Sequence, residues 1–289
     1  MKFKSLIRPI AGASLFAAGL AGILYTAGSA AIARVPVVEL ALPADFAVER
    51  VVLKAEGEPE LAGWVSPGTA KCGVVLLLHG RGSNKTAVAE RARMLHGGGM
   101  SVVMFDLPGH GESGGETRGF GYQEIGAVAR MADYIKARFP DRKTAAVGAS
   151  LGAASLVLAQ DHFKPDAYVL EELFTTLQET TAQRMRLPLL KDAQAKIMLA
   201  QLPWRLGFSA DDVRPLDKMA TISSPVLLLA GSDDPFVDPA QTLRIFDAIS
   251  APKQLFVFKG AKHQNLQAYD PATYKTNVLP FVQKAICKQ

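Results

Sequence analysis

The pentapeptide Gly148-Ala149-Ser150-Leu151-Gly152 is the stretch of this sequence best suited to covalent chemistry. It follows a short apolar run, Thr144 to Val147, and leads into a helix of small residues that reaches Ala159. Strand, tight turn and helix in that order form a nucleophile elbow, which pushes a serine hydroxyl out over the end of a sheet. The serine backbone is then held in a sparsely populated conformation, and the residues two before and two after it must carry almost no side chain. Gly148 and Gly152 meet that demand. The N–H groups at the start of the following helix face the same place, where they can stabilise charge developing on a substrate oxygen. Alone, the pattern also fits an ordinary turn serine, so the surrounding elements decide its meaning.

Those elements alternate. Ala47 to Ala55 and Leu61 to Ser66 are β-rich runs around Glu56-Gly57-Glu58-Pro59, a hairpin signal. Val74 to Leu78 is continuously apolar, as a strand covered on both faces should be, and ends in His79-Gly80-Arg81-Gly82. A helix begins near Ser83 or Asn84. Val102 to Asp106 is a further strand, followed by the glycine-rich loop Asp106 to Gly115. Neither loop has the spacing of a phosphate loop or a dinucleotide fingerprint, and His79, His110 and Ser113 read as loop and turn residues. Tyr122 to Phe139 carries Ile125, Val128, Ala129, Ala132 and Ile135 on one face, an amphipathic helix lying on the sheet. Beyond the elbow, Ala167 to Leu170, Pro225 to Ala230 and Leu255 to Phe258 continue the strands, and Asp238-Pro239 and Asp270-Pro271 begin helices. Residues 175–223 show no strand yet are apolar, with Leu187, Leu190, Ile197, Leu202, Trp204 and Phe208 among them. Two readings stand level: a small helical cap whose apolar side binds an acyl group, or a layer packed down on the domain.

Alternation of this kind implies a mostly parallel sheet with helices on both faces, and in such sheets sites form beyond the carboxyl ends of the strands. Ser150, Asp234 and His263 each follow a strand directly, in that chain order, and the loop after the His79 strand supplies backbone donors to the same region. On these residues the sequence resembles the α/β-hydrolases, in the group of serine aminopeptidases, monoacylglycerol lipases and dienelactone hydrolases, over roughly Val48 to Ile286. The motifs are Leu78-His-Gly80, Asp106-x-x-Gly-x-Gly-x-Ser113, Gly148-Ala-Ser-Leu-Gly152, Gly231-x-x-Asp234 and the late His263. An apolar N-terminal segment ahead of Leu61-Ala-Gly-Trp64 is similar to membrane-anchored bacterial members.

The resemblance implies an α/β-hydrolase fold over residues 35–289, with a cap insertion at about 175–223. It makes Ser150 the nucleophile, His263 the general base and then acid, and Asp234 the carboxylate that holds and stabilises the imidazolium. Backbone N–H groups of Arg81 and Leu151 would bind the oxyanion. Asp234 is chosen over the adjacent Asp233 because it lies three residues after Gly231; Glu171 and Glu172 are the alternative acids. His79, His96, His110 and His162 all precede the acid in the chain. The expected activity is hydrolysis of a carboxylic ester of a small molecule through an acyl-enzyme, without a cofactor or metal. The same triad would serve a peptidase or an acyltransferase, and a non-catalytic binding member would have lost one of its residues. A serine in place of an aspartate nucleophile argues against dehalogenase and epoxide hydrolase chemistry.

Charge excludes another class. The 289 residues hold 32 basic and 27 acidic side chains, but Lys2, Lys4, Arg8 and Arg34 lie in the first 34 positions, which have no acid. The rest is nearly neutral and has no basic run with interleaved aromatics, so nucleic acid is not an expected partner. Ile10 to Ala33 is 24 residues without a charge, long enough to cross a bilayer. Its length favours an uncleaved anchor over a cleavable signal ending at Gly28-Ser29-Ala30 or Ala31-Ile32-Ala33. Either way the basic start stays cytoplasmic and the domain is exported. Val35 to Pro43 reads as a connector leading away from the membrane. Cys72 and Cys287 have no metal-type spacing; a disulfide would suit their ends of the layers, and two free thiols are the favoured expectation.

Overall fold

Every residue of Val74–Leu78 and Ser101–Phe105 is buried, as strands with a layer on each face must be. In the computed structural model, which describes residues 19, 22, 23, 25–36, 39–41, 43, 46–185 and 187–288, they belong to one eight-stranded sheet. Its strands are β1 (Glu49–Leu53), β2 (Leu61–Ser66), β3 (Val74–Leu78), β4 (Ser101–Phe105), β5 (Thr144–Ala149), β6 (Ala167–Glu171), β7 (Val226–Gly231) and β8 (Lys253–Phe258). The order is β1-β2-β4-β3-β5-β6-β7-β8. β2 pairs antiparallel with β1 and β4, and the other neighbours are parallel. β4 and β5 lie on opposite sides of β3, so the chain switches direction there and a crevice opens at the carboxyl ends of β3 and β5. Leu78 stands opposite Gly148, which brings the loops after these two strands side by side.

Helices α1 (25–32), α2 (Ala89–Gly97), α3 (Glu124–Arg138), α4 (Leu151–Leu158), α5 (Leu177–Ala182), α6 (Lys191–Leu199), α7 (Leu202–Leu206), α8 (Pro215–Lys218), α9 (Pro239–Ala248), α10 (Leu266–Tyr269) and α11 (Pro271–Ile286) complete the described fold. One core packs Val128, Met131 and Ile135 of α3 and Leu156 and Val157 of α4 onto one face of the sheet. The other packs Ala92 and Leu95 of α2 and Tyr274, Val278 and Val282 of α11 onto the opposite face. Asp238 and Asp270 cap α9 and α11 by accepting from the Gln241 and Thr273 N–H groups. Between β6 and β7 the chain is helices and turns, α5 to α8.

Two expectations change. Cys72 and Cys287 are joined by a disulfide, not free. The parallel layering brings the end of α11 to the start of β3, where the Gly73 N–H donates to Ile286 O and the Lys288 N–H to Lys71 O, holding the two cysteines opposite each other. The connector after residue 34 lies against the domain: the Val35 N–H donates to Gly109 O at 3.1 Å, and Arg34 donates to Ser113 O and Gly115 O, both at 2.7 Å. Arg34 and the connector together supply donors to carbonyls of the loop Asp106 to Gly115. Half of the expected span, Ile10 to Ala33, lies outside the described residues; among those described, no helix is long and apolar enough to cross a membrane. Its last turns, α1, pack on the domain through Tyr25 stacked on Trp204 and Arg205 donating to Ser29 Oγ and Tyr25 O.

Candidate active site

Ser150 joins β5 to α4 with φ 49° and ψ −107°, a conformation that costs on the order of 1–3 kcal/mol for a side-chain-bearing residue. Its N–H donates to Glu171 O at 2.8 Å, and its carbonyl accepts from the Ala154 N–H at 2.9 Å. The flanking glycines answer to close approach of backbone. A Cβ on Gly148 would lie 2.6 Å from the Ala153 nitrogen, and one on Gly152 would lie 2.5 Å from Leu78 O. Neither position has room for an alanine.

The Ser150 hydroxyl lies 3.0 Å from His263 Nε2, and His263 Nδ1 lies 2.7 Å from Asp234 Oδ2. Asp234 is buried, and its other oxygen accepts from the Phe236 and Val237 N–H groups. With Nδ1–H directed at that carboxylate, Nε2 is left to accept from serine. Asp233 is exposed and bonded to Ser232. Glu171 is taken by Arg91, at 2.8 and 2.5 Å, and by the Tyr274 hydroxyl. Glu172, at φ 52°, accepts from the Gln264 N–H, and its Oε2 lies 3.8 Å from His263 Nδ1. Burial, opposed by that N–H and reinforced by Asp234 and Glu171, pushes the Glu172 carboxyl up to about 9. Glu172, Asp234 and His263 bring donor atoms within 4.8 Å of one another; with the His263 Nδ1 proton directed at Asp234, the cluster as it stands is a hydrogen-bonded one.

Two imidazoles hold the turn after β3. His79 is buried, pairs Nδ1 with Gly80 O at 2.8 Å, and accepts at Nε2 from the Leu107 N–H. Burial lowers its pKa. His110 accepts at Nε2 from the Gly82 N–H and pairs Nδ1 with Pro108 O; burial, then repulsion from His79, lower its pKa to about 3. Both are neutral hinges for residues 79–82. Beneath them Lys85 is fully buried, paired with Asp106 at 2.6 Å and Glu112 at 2.5 Å. The sequence marked His79 and His110 as loop residues but gave no sign that Lys85 is buried. The backbone N–H groups of Arg81 and Leu151 donate to no group among the described residues.

Two cavities meet at Ser150. The smaller, about 180 Å³, is mostly apolar, lined by Ala31, Phe120, Leu151, Phe174, Leu177 and Met198. The larger, about 440 Å³, is lined by Ser83, Arg184, Phe236, His263, Gln264 and Asn265 among others. Arg81 and Arg184 border both. Ala31 comes from α1, and its carbonyl accepts from Arg81; a stretch read only as an apolar span held no hint of this.

The family model described as serine aminopeptidase, S33, matches residues 69–191. The uncharacterised protein Rv2307c of Mycobacterium tuberculosis is 30% identical over 225 residues, which cover 76% of this chain and 74% of the relative. The protein YqkD of Bacillus subtilis is 25% identical over 214 residues, covering 72% and 70%. Of solved structures, the Pyrococcus furiosus esterase Pf2001 has the same fold, with a TM-score of 0.70 and 22% identity over 87% of this chain and 99% of that one. The chain belongs to the α/β-hydrolase superfamily. It is a hydrolase of that fold, related along most of its length to the mycobacterial and Bacillus proteins.

Proposed function

We propose that this protein is a serine hydrolase that cleaves a carboxylic ester through an acyl-enzyme on Ser150. The observation that carries the reading is the hydrogen-bonded line from Asp234 through His263 to the Ser150 hydroxyl. A serine hydroxyl is a weak nucleophile until a base accepts its proton. In this reading His263 Nε2 takes that proton as Oγ bonds to the carbonyl carbon. The carbonyl electron pair moves onto oxygen, where the Arg81 and Leu151 N–H groups meet it. The acyl–oxygen bond then breaks and the alcohol leaves with the proton from His263. Water repeats the sequence and releases the acid. Asp234 keeps the imidazole in the working tautomer and stabilises its charge. The smaller cavity takes the acyl chain under α5 and α6, which act as a cap, and the larger takes the alcohol.

An ester is favoured because a structural neighbour is an esterase; the family description favours an amide. Hydrolysis of p-nitrophenyl esters from acetyl to dodecanoyl, beside aminoacyl p-nitroanilides, separates them. The expected result is a higher kcat/KM on esters, lost in Ser150→Ala. Preference for the anilides, or ester turnover that survives Ser150→Ala, would overturn it.

In the same reading the domain lies outside the cytoplasmic membrane. The uncharged stretch after Lys2, Lys4 and Arg8 supports export, and a disulfide suits an oxidising compartment. Residues 25–34 are bonded into the domain and Ala31 walls a cavity, which favours an uncleaved segment.

A further inference from the structure

The two guanidinium groups bordering both cavities have no carboxylate within ion-pair distance among the described residues. Arg91, which also lines the larger cavity, is satisfied by Glu171. Among the described residues Arg81 donates to the carbonyls of Gly119 and Ala31 alone, and it lies 4.4 Å over the Phe120 ring. Arg184 is held by one nitrogen, which donates to the Thr180 carbonyl at 2.6 Å and to the Thr180 hydroxyl. Its guanidinium lies 4.0 Å over the ring of Phe236, whose edge meets His263. The remaining nitrogens of Arg184 make no hydrogen bond among the described residues. Arg118, donating to Ala30 O with its other terminal nitrogen near Gly82, adds a third cation beside the site. Of the nearby carboxyls, Glu172 lines the larger cavity and burial holds it protonated, and Asp234, behind the wall, is bonded to His263. An arginine oriented by one edge and stacked on an aromatic ring presents its other edge to a ligand, and its fork matches carboxylate or phosphate oxygens.

We propose that the larger cavity binds an anionic group, a carboxylate or a phosphate, on the alcohol half of the substrate, and that Arg184 is the residue that meets it. This rests on the reading of Ser150 as the nucleophile. The natural ester would then join a chain sized for the small apolar cavity to an alcohol bearing an acid a few bonds from the scissile oxygen. Arg81, tied to the α1 carbonyl, supplies positive potential and not the direct contact.

The test uses the full chain and three butanoyl esters of closely similar phenols: 4-hydroxybenzoate, 4-hydroxyphenyl phosphate and the neutral 4-hydroxybenzamide. Expected is a kcat/KM on at least one anionic ester about tenfold or more above the neutral one, the scale of a charge-assisted hydrogen bond. The ratio should fall toward one in Arg184→Gln and recover in part in Arg184→Lys. Which anion leads separates a carboxylate from a phosphate. A ratio at or below one in the parent, or a ratio unmoved by Arg184→Gln, overturns the proposal while leaving the esterase reading intact. If no ester is turned over, that reading fails, and calorimetric binding of the three free phenols to Ser150→Ala still decides the anion site. Preference for an anionic phenol, abolished by adding Arg184→Gln, supports it; equal binding refutes it.

Discussion

The Ser150 hydroxyl and the His263 ring meet at 3.0 Å only because Asp234, buried and holding two backbone N–H groups, fixes the imidazole from behind. Asp234→Asn offers an amide where a carboxylate accepted the Nδ1 proton. Steady-state kinetics should show kcat falling by about 10⁴ with the fold retained, as expected when the wrong tautomer is held. Glu172 carries a different prediction. Its carboxyl is protonated in the fold up to about 9 but ionises near its ordinary value of 4.5 when unfolded. The native state thus binds more protons in that window, and its stability falls as pH rises through it. Urea unfolding at pH 6 and pH 8.5 should show a smaller loss in Glu172→Gln than in the parent. Ser150, Asp234 and His263 were legible because each stands just past an apolar run. Glu172 was legible only as an alternative acid, and Arg184 not at all: the burial of the one and the ion-pair-free guanidinium of the other are made by the fold, which a sequence does not display.

At the scale of elements, the elbow depends on strand, turn and helix backbones crossing where only glycine fits. Gly152→Ala would set a Cβ 2.5 Å from Leu78 O, forcing β3 and α4 apart. The expected cost is about 1–3 kcal/mol in a denaturant titration, with activity falling further than stability because the Arg81 turn hangs on the same strand. The strands were readable because six of them are short apolar runs bounded by glycine, proline or charge, and α9 and α11 announced themselves with Asp-Pro. The segment between β6 and β7 was readable as strandless and apolar, a helical cap or a packed-down layer, but not as individual helices. Its helices, α5 to α8, are short, and they take their place from contacts with α1, α4 and α9.

For the molecule as a whole, the sheet order and the cysteine pairing depend on contacts distant in sequence. Cys72 and Cys287 are 215 residues apart, so their bond closes nearly the whole hydrolase domain. Reduction should lower unfolding stability by about 2–4 kcal/mol, read as a drop in denaturant midpoint with dithiothreitol and reproduced by Cys72→Ser. The N-terminal stretch was legible as apolar and uncharged, but not as a wall of the site. That role arises because α1 meets Trp204, Arg205 and Arg81, residues whose neighbourhood only the fold creates. The central claim is that these layers activate one hydroxyl. Exposure of the full chain to a fluorophosphonate probe, followed by intact mass and peptide mapping, tests it most directly. The expected outcome is one adduct on Ser150, absent in Ser150→Ala and formed at least about a hundredfold more slowly in His263→Ala. Folded protein that takes no label, or label that persists in Ser150→Ala, would contradict it.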